Sequence, residues 1–524
     1  MASLQEASLR HATFYLRQAR NLDTVYTENK SKLFEVLQKF DSDWSNFNTG
    51  HKWTISNFQT DNKAAYLCAM YPSLVSNLLQ LRQTPQELLN AHHAGLKAAQ
   101  LIGINQTIGA HLAGIGLACI SLGSFEKAIK VLNKLIEYAE QQEDINLLAV
   151  GALNISIAWI GLGQFDKGRE LSLFAIKIFK KLKDENGITR ALGTLATAYA
   201  ALGEHKKAIR CFEICHRSHR QTKDIFLEAE TTVNIGLSLY SLGEYKKALE
   251  MFFDALRVSD QIGNLLLKGR VLGNIANAQL NQANYSEALK NFEKSLQVQR
   301  QLGDQRGEAA TLGNMAIIYA STGYMDLANR FINESRDIMQ RINAKKDLAI
   351  LLANLGAINL NLGNYSQAYD LLLKSFEESK SIGDQESSAN ALVNIGIALN
   401  HLGKIEQAIN VYNDALVIYE NQKNLRGKTF CYTNLGSSYG LSGDHRKALE
   451  YYQLALEMDL SSGDRQGEAI NRVNIAGELY QLGKREEALQ QAEIGYRLMV
   501  NLRDPRSEQI HHFLEIWRNE IRPT

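Results

Sequence analysis

Proline is nearly absent: 524 residues hold only Pro72, Pro85, Pro505 and Pro523, and none stands between Pro85 and Pro505. A stretch without the residue that breaks helices and punctuates linkers argues against strand-rich or linker-jointed architectures and for continuous helices. Excess charge is missing too. Fifty-seven basic residues face 56 acidic ones, which removes a dominant electrostatic footprint for nucleic acid or an anionic membrane. Cysteine is scarce, five at irregular spacing, the usage of reduced thiols inside a cell, so a cytoplasmic location is expected. The start, Met1-Ala-Ser-Leu-Gln-Glu, lacks the basic and apolar regions of a secretory signal. Three windows carry no charge, 98–125, 145–165 and 348–369, but Asn105, Gln106, His111, Asn154, Asn354 and Asn359 interrupt them; no membrane span is expected. No Walker A sequence, nucleophile elbow, CxxC pair or zincin spacing occurs, so neither enzymatic activity nor a cofactor is expected.

What the chain has is glycine on a lattice. Leu-Gly-x-x-x-x-Ala recurs as Leu122-Gly123 with Ala128, Leu202-Gly203 with Ala208, and again at Gly243, Gly363, Gly403 and Gly483. With weaker copies at Gly163, Ala283, Gly323 and Gly443, ten landmarks follow one another at 40 residues without insertion or deletion. Twenty residues after each comes a second stop: Gly263-Asn264, Gly303-Asp304, Gly383-Asp384 and Gly463-Asp464, with Lys183-Asp184, Lys223-Asp224 and Arg503-Asp504 as variants. Glycine ends a helix in the left-handed region and Asp or Asn caps the next, so each unit divides into two helices of about 15 residues. Small residues hold the middle of the first helix (Gly236, Ala276, Gly356, Gly396, Gly436) and of the second (Ala175, Ala255, Ser335, Ser375, Ala415). Two small columns on facing helices predict a close approach of their backbones.

The small residue of the first helix, the glycine turn, the alanine opening the second helix and the later Ala/Ser column resemble tetratricopeptide (TPR) repeats. The 40-residue length and Asn354-Leu355-Gly356 or Asn434-Leu435-Gly436 are similar to the longer repeats of kinesin light chains and Leu-Gly-Asn repeat adaptors. The resemblance covers 105–504 and departs from the commonest repeat in length and in lacking the closing proline. It implies an all-α, right-handed superhelical solenoid of ten regular repeats with helical caps, first helices on the concave side and second helices on the convex. Such an array needs no single large core. Residues 63–104 read as a degenerate capping repeat, with Pro85 opening a helix over 86–101. A final helix over 506–521, bearing Phe513, Leu514 and Trp517, seals the other end as the C-terminal cap of 505–524. Residues 1–62 form a helical lead-in. There, Arg10-His11-Ala12-x-x-Tyr15-Leu16 and Phe40-Asp41-x-Asp43-Trp44-x-Asn46 resemble the segment joining winged helix to repeats in STAND-type signalling ATPases.

Asparagine stands two residues before the small column of the first helix in eight repeats: Asn154, Asn234, Asn274, Asn314, Asn354, Asn394, Asn434 and Asn474, with Gly114 and Thr194 as exceptions. Inside a helix each costs about 0.5 kcal/mol against alanine. In TPR proteins the matching column faces the groove, where a carboxamide donates to and accepts from a peptide main chain at once. First helices about 10 Å apart would set one such clamp per three residues or so of extended peptide. The alternative is that each asparagine bonds to the adjacent repeat. Val150, Leu153, Ile157 and Ile160 would line the early groove, and Arg190 and Arg270, sharing one outer column, would each pair with a ligand carboxylate or else be solvated helix-end arginines.

Residues 161–223 carry 13 Lys/Arg against 6 Asp/Glu, mostly on second helices; this convex basic patch is either a docking site for a second, acidic partner or a solvated face. Cys211, Cys215 and His219 sit at i, i+4, i+8 on one helix face, an awkward way to surround a metal, and Cys215 falls in the small column, so a packed thiol and no metal is expected. The expectation is a non-catalytic scaffold or adaptor binding a partner's peptide segment in the groove. Its rival is a regulatory or sensor subunit of a separate effector, a STAND ATPase or caspase-like protease. Peptide-pheromone sensing ranks last, because 1–60 shows no DNA-binding helix-turn-helix.

Overall fold

The computed structural model describes residues 2–502 and 504–521; Arg503, one of the variant stops, lies outside them. Twenty-six α-helices and no strand occur among the described residues. Contacts divide the chain into two compact units, Met1–Asn291 and Phe292–Thr524, with the cut inside the helix Tyr285–Leu302. Each unit is built from the helix pairs that the 40-residue lattice predicts.

All ten landmarks adopt positive φ, from Gly123 at 69° to Gly323 at 84°, with Ala283 at 56° as the one residue carrying a Cβ there. The second stops do so as well, and Glu143, Asn343 and Lys423 join Lys183 and Lys223 in the left-handed region. After the stop, Asp144, Asp184, Asp224, Asn264, Asp304, Asp384, Asn424 and Asp464 each accept a backbone N–H of the following first turn, contacts worth about 1 kcal/mol apiece. Ala344 alone holds that position without a side-chain cap.

The small column of the first helix packs differently from the expectation. Its glycines do not meet the small column opposite; each receives a large side chain of the second helix. A Cβ at Gly116, Gly236, Gly356, Gly396 or Gly436 would collide with Leu132, Phe252, Leu372, Tyr412 or Tyr452 respectively, all buried. The small column of the second helix instead lets polar atoms reach the first helix. Ser335 Oγ donates to the Ala309 carbonyl and Ser375 Oγ to that of Ala349, both at 2.7 Å. Cys215 obeys the same register, its Sγ donating to the Thr189 carbonyl at 3.3 Å, and burial pushes the thiol up to about 12. It is a packed structural thiol.

Within each unit most successive first helices approach one another, as Ile145–Gly161 does on both sides and Lys345–Asn361 does on both sides. No comparable approach joins successive second helices among the described residues, so first helices take the inner side. The charge-free windows are accounted for by this packing, and no helix among the described residues is long and apolar enough to cross a membrane.

At the N-terminal end, Ala2–Glu28 and Leu33–Asn57 pair as a hairpin. Phe40, Phe47 and Tyr71 are buried in one cluster with Trp44 packed against it, so the aromatic motif of the lead-in serves that core. The capping pair is Asn62–Leu74 plus Ser76–Arg82, broken at Val75, and Pro85–Ile102 behind a Thr84/Glu87 capping box. At the other end the last helix is Ser507–Ile521, so Pro505 precedes it in a turn. Leu514 is buried and Trp517 stacks on Tyr480 at 4.6 Å. Phe513, expected on the sealing face, is 51% exposed; it shares a helix face with Trp517 without being covered.

Candidate functional site

The ladder asparagines hold one register of the first helices, 40 residues apart, and so one helix face. In the first unit Asn234 and Asn274 are half-buried; in the second, Asn314, Asn394, Asn434 and Asn474 are half-buried and Asn354 is exposed. Asn434 turns back on its own helix, Nδ2 donating to the Phe430 carbonyl at 2.8 Å. For Asn234, Asn274, Asn354, Asn394 and Asn474 no side-chain hydrogen bond occurs among the described residues. Their amides are open to a ligand.

Bonding between adjacent repeats is carried by other residues, which the sequence did not single out. Asn400 Nδ2 donates to Ser438 Oγ at 2.9 Å, Asn281 Nδ2 to the Tyr240 hydroxyl at 2.5 Å, and Thr433 Oγ1 to Asn471 Oδ1 at 3.0 Å. Asn400 and Asn281 lie two turns or so beyond the ladder in columns held elsewhere by Ile120, Leu360 or Ser241, so no column of amides marks them.

Asn154 departs from the ladder. It is wholly buried, and neither amide atom has a partner. An unsatisfied buried amide costs about 1–3 kcal/mol. Of the apolar residues expected beside it, Leu153 is 1% exposed and belongs to the core with Ala149, Ala175 and Phe179, while Ile160 covers Gly168 of the second helix. Val150, Ile157 and Ile160 keep partial exposure.

The two arginines differ. Arg270 forms an ion pair with Glu230 of the preceding first helix, so it is already satisfied by a carboxylate of the chain itself. Arg190 makes no ion pair among the described residues. Its surface is open to solvent, yet surrounding protein desolvates it enough to lower its pKa, with Asp184 opposing.

One turn before the ladder, the outer column reads Val150, Arg190, Glu230 and Arg270 in the first unit, then Ala310, Ile350, Asn390, Phe430 and Ile470 in the second. Ile350 is 45% and Phe430 53% exposed. The amide column therefore repeats while its neighbour varies, with all three of its charged residues in the first unit and none in the second.

The tetratricopeptide-repeat family model matches residues 189–261, 227–301, 267–341, 347–421 and 428–499, and a second model of the same description matches 112–142. The chain belongs to the tetratricopeptide repeat family. Solved structures similar to this TPR chain include the apo form of RapI, at 18% identity over 53% of this chain and 99% of that one, TM-score 0.45. The apo quorum sensor NprR from B. thuringiensis matches at 16% identity, 65% and 98% coverage, TM-score 0.48. A putative kinesin light chain from Podosopora anserina with nearly identical TPR-like repeats matches at 14%, 36% and 94%, TM-score 0.32. At these identities the likeness is one of fold alone. No curated protein sequence matches the chain.

Proposed function

We propose that this TPR protein is a non-catalytic interaction protein that holds a peptide segment of a partner along its first-helix face. The observation that carries the reading is, in each unit taken by itself, the side-chain amides without hydrogen-bond partners in the protein: Asn234 and Asn274 in the first, Asn354, Asn394 and Asn474 in the second. Each offers one donor pair and one acceptor to a main-chain amide unit. Main-chain contacts supply affinity, and the variable outer column supplies selectivity: Arg190 for a carboxylate, Ile350 and Phe430 for apolar side chains. Arg270 is spoken for by Glu230 and contributes less.

The test is selection of binding peptides from a displayed random library on the full chain, followed by Asn354→Ala/Asn394→Ala. Both side chains are solvent-accessible, so helicity by circular dichroism stays unchanged. Binding of the selected peptide is expected to weaken about tenfold, one hydrogen-bonded contact being worth about 1 kcal/mol or more. Undiminished binding with intact helicity refutes the ladder. The sensor reading uses the same face and differs in what binding triggers; a separate ATPase or protease whose activity changes on addition of the peptide-loaded chain decides for it.

A further inference from the structure

The second helices of repeats two to four present a surface that folding leaves unused. Leu173, Phe174, Ile214 and Phe253 are 46%, 44%, 43% and 49% exposed, on the helices Phe165–Leu182, His205–Gln221 and Tyr245–Gln261. Phe174 and Ile214 hold the same register 40 residues apart. Each has basic residues one turn away: Lys177 follows Phe174 by three, and Arg210 and Arg217 flank Ile214 at four and three, spacings that share a helix face. Lys177, Lys180, Lys181, Arg210 and Arg220 make no ion pair among the described residues, whereas Arg300 in a later second helix meets both Glu308 at 2.7 Å and Glu334 at 2.6 Å. Between the second helices of repeats three and four opens a notch of about 240 Å³, lined by His216, Arg220, Thr232, Met251 and Arg257 among others.

We propose that this face docks an acidic amphipathic helix of a partner protein, separately from the inner-face peptide. Charge complementarity selects the occupant: unpaired cations ring apolar side chains, and an acidic helix satisfies both at once. A bilayer or a nucleic acid suits the face less well. Glu170, Glu213 and Asp254 are interspersed with the cations, and a notch of this size receives a single side chain.

The experiment measures binding of an 18-residue fluorescent helix carrying Leu at i and i+7 on a Glu-rich background. Its companions are a scrambled peptide of equal charge, a Lys-for-Glu peptide, vesicles of phosphatidylcholine and phosphatidylserine, and a duplex oligonucleotide. The full chain is expected to prefer the amphipathic acidic helix by about tenfold or more over each. The preference weakens with salt, as screening requires. Phe174→Ser/Ile214→Ser and, separately, Lys177→Glu/Arg217→Glu are each expected to remove that preference while leaving the inner-face peptide's binding unchanged; all four side chains are exposed, so the variants fold. Equal binding of the scrambled peptide, tighter binding of vesicles or duplex, or a preference that survives both variants overturns the proposal.

Discussion

The inner faces of the two units share one column and differ in the next. Both carry asparagine at the ladder position, Asn234 and Asn274 in the first, Asn354, Asn394 and Asn474 in the second. One turn away the first unit shows Arg190, Glu230 and Arg270, and the second Ala310, Ile350 and Phe430. On the function proposed above, the constant column reads what every peptide has, its main chain. What changes can read side chains. The units differ in their interiors as well: the first buries His51, His92 and His111, while His401 and His445 of the second keep contact with solvent.

The interior difference breaks the comparison most forcefully. Burial lowers His51 and His111 to about 4 and His92 to about 3, where His111 adds to the effect. His92 and His111 place their Nδ1 atoms 3.3 Å apart, so protonating both is opposed. The folded state holds these rings neutral, while the unfolded chain binds protons below pH about 6.5. Stability is therefore full above that pH and falls as pH drops toward 4, by about 1.4 kcal/mol per pH unit for each proton taken up. Hydrogen exchange followed from pH 7 to 4.5 is expected to show protection lost first in the first unit, with His92→Gln flattening the slope. Equal losses in both units would contradict the assignment.

The packing lattice, by contrast, is common to both units. Gly236→Ala places a Cβ 2.5 Å from the Phe252 ring and Gly396→Ala one 2.5 Å from that of Tyr412. Each is expected to cost about 1–3 kcal/mol, the scale of overpacking, in denaturant unfolding. A difference beyond that range would mean the two units do not share one packing rule.

Asn154 sharpens the contrast within the ladder itself. With both amide atoms buried and unpartnered, Asn154→Leu is expected to raise stability by about 1–2 kcal/mol, since an apolar group removes the desolvation cost. Asn394→Leu changes stability by less than about 0.5 kcal/mol and acts on peptide binding instead. A destabilised Asn154→Leu shows that the buried amide has a partner such as an ordered water. A smaller gain than that at Asn154 is expected at Ala283, at φ 56°, where Ala283→Gly stabilises by about 0.5–1 kcal/mol in thermal melts, because the left-handed region costs a Cβ about that much.

Much of the fold was legible because backbone geometry demands particular residues. A left-handed turn asks for glycine, hence Gly123 through Gly483, and an exposed helix start asks for Asp or Asn, hence Asp144 through Asp464. Where the surrounding helices impose the geometry, the residue carries no mark: Glu143, Asn343 and Lys423 take positive φ with side chains that do not advertise it. The small column was visible, but its partner was misplaced, because a glycine hole can be filled by Phe252 or Tyr412 as well as matched by another small residue. Inner-face positions followed from helical periodicity, while the burial of Asn154, the Glu230 pairing of Arg270 and the Asn400–Ser438 bridge depend on how repeats stack, which one repeat's pattern does not encode.

The central claim is that the amide column grips main chain. Its most direct measurement takes a peptide selected on the full chain and methylates its backbone nitrogens one at a time, comparing affinity with that of the parent. The account predicts losses of about tenfold recurring at roughly every third residue, each abolished in the matching Asn→Ala variant. Uniform affinity across the methylated series, with side-chain truncations alone weakening binding, would contradict it.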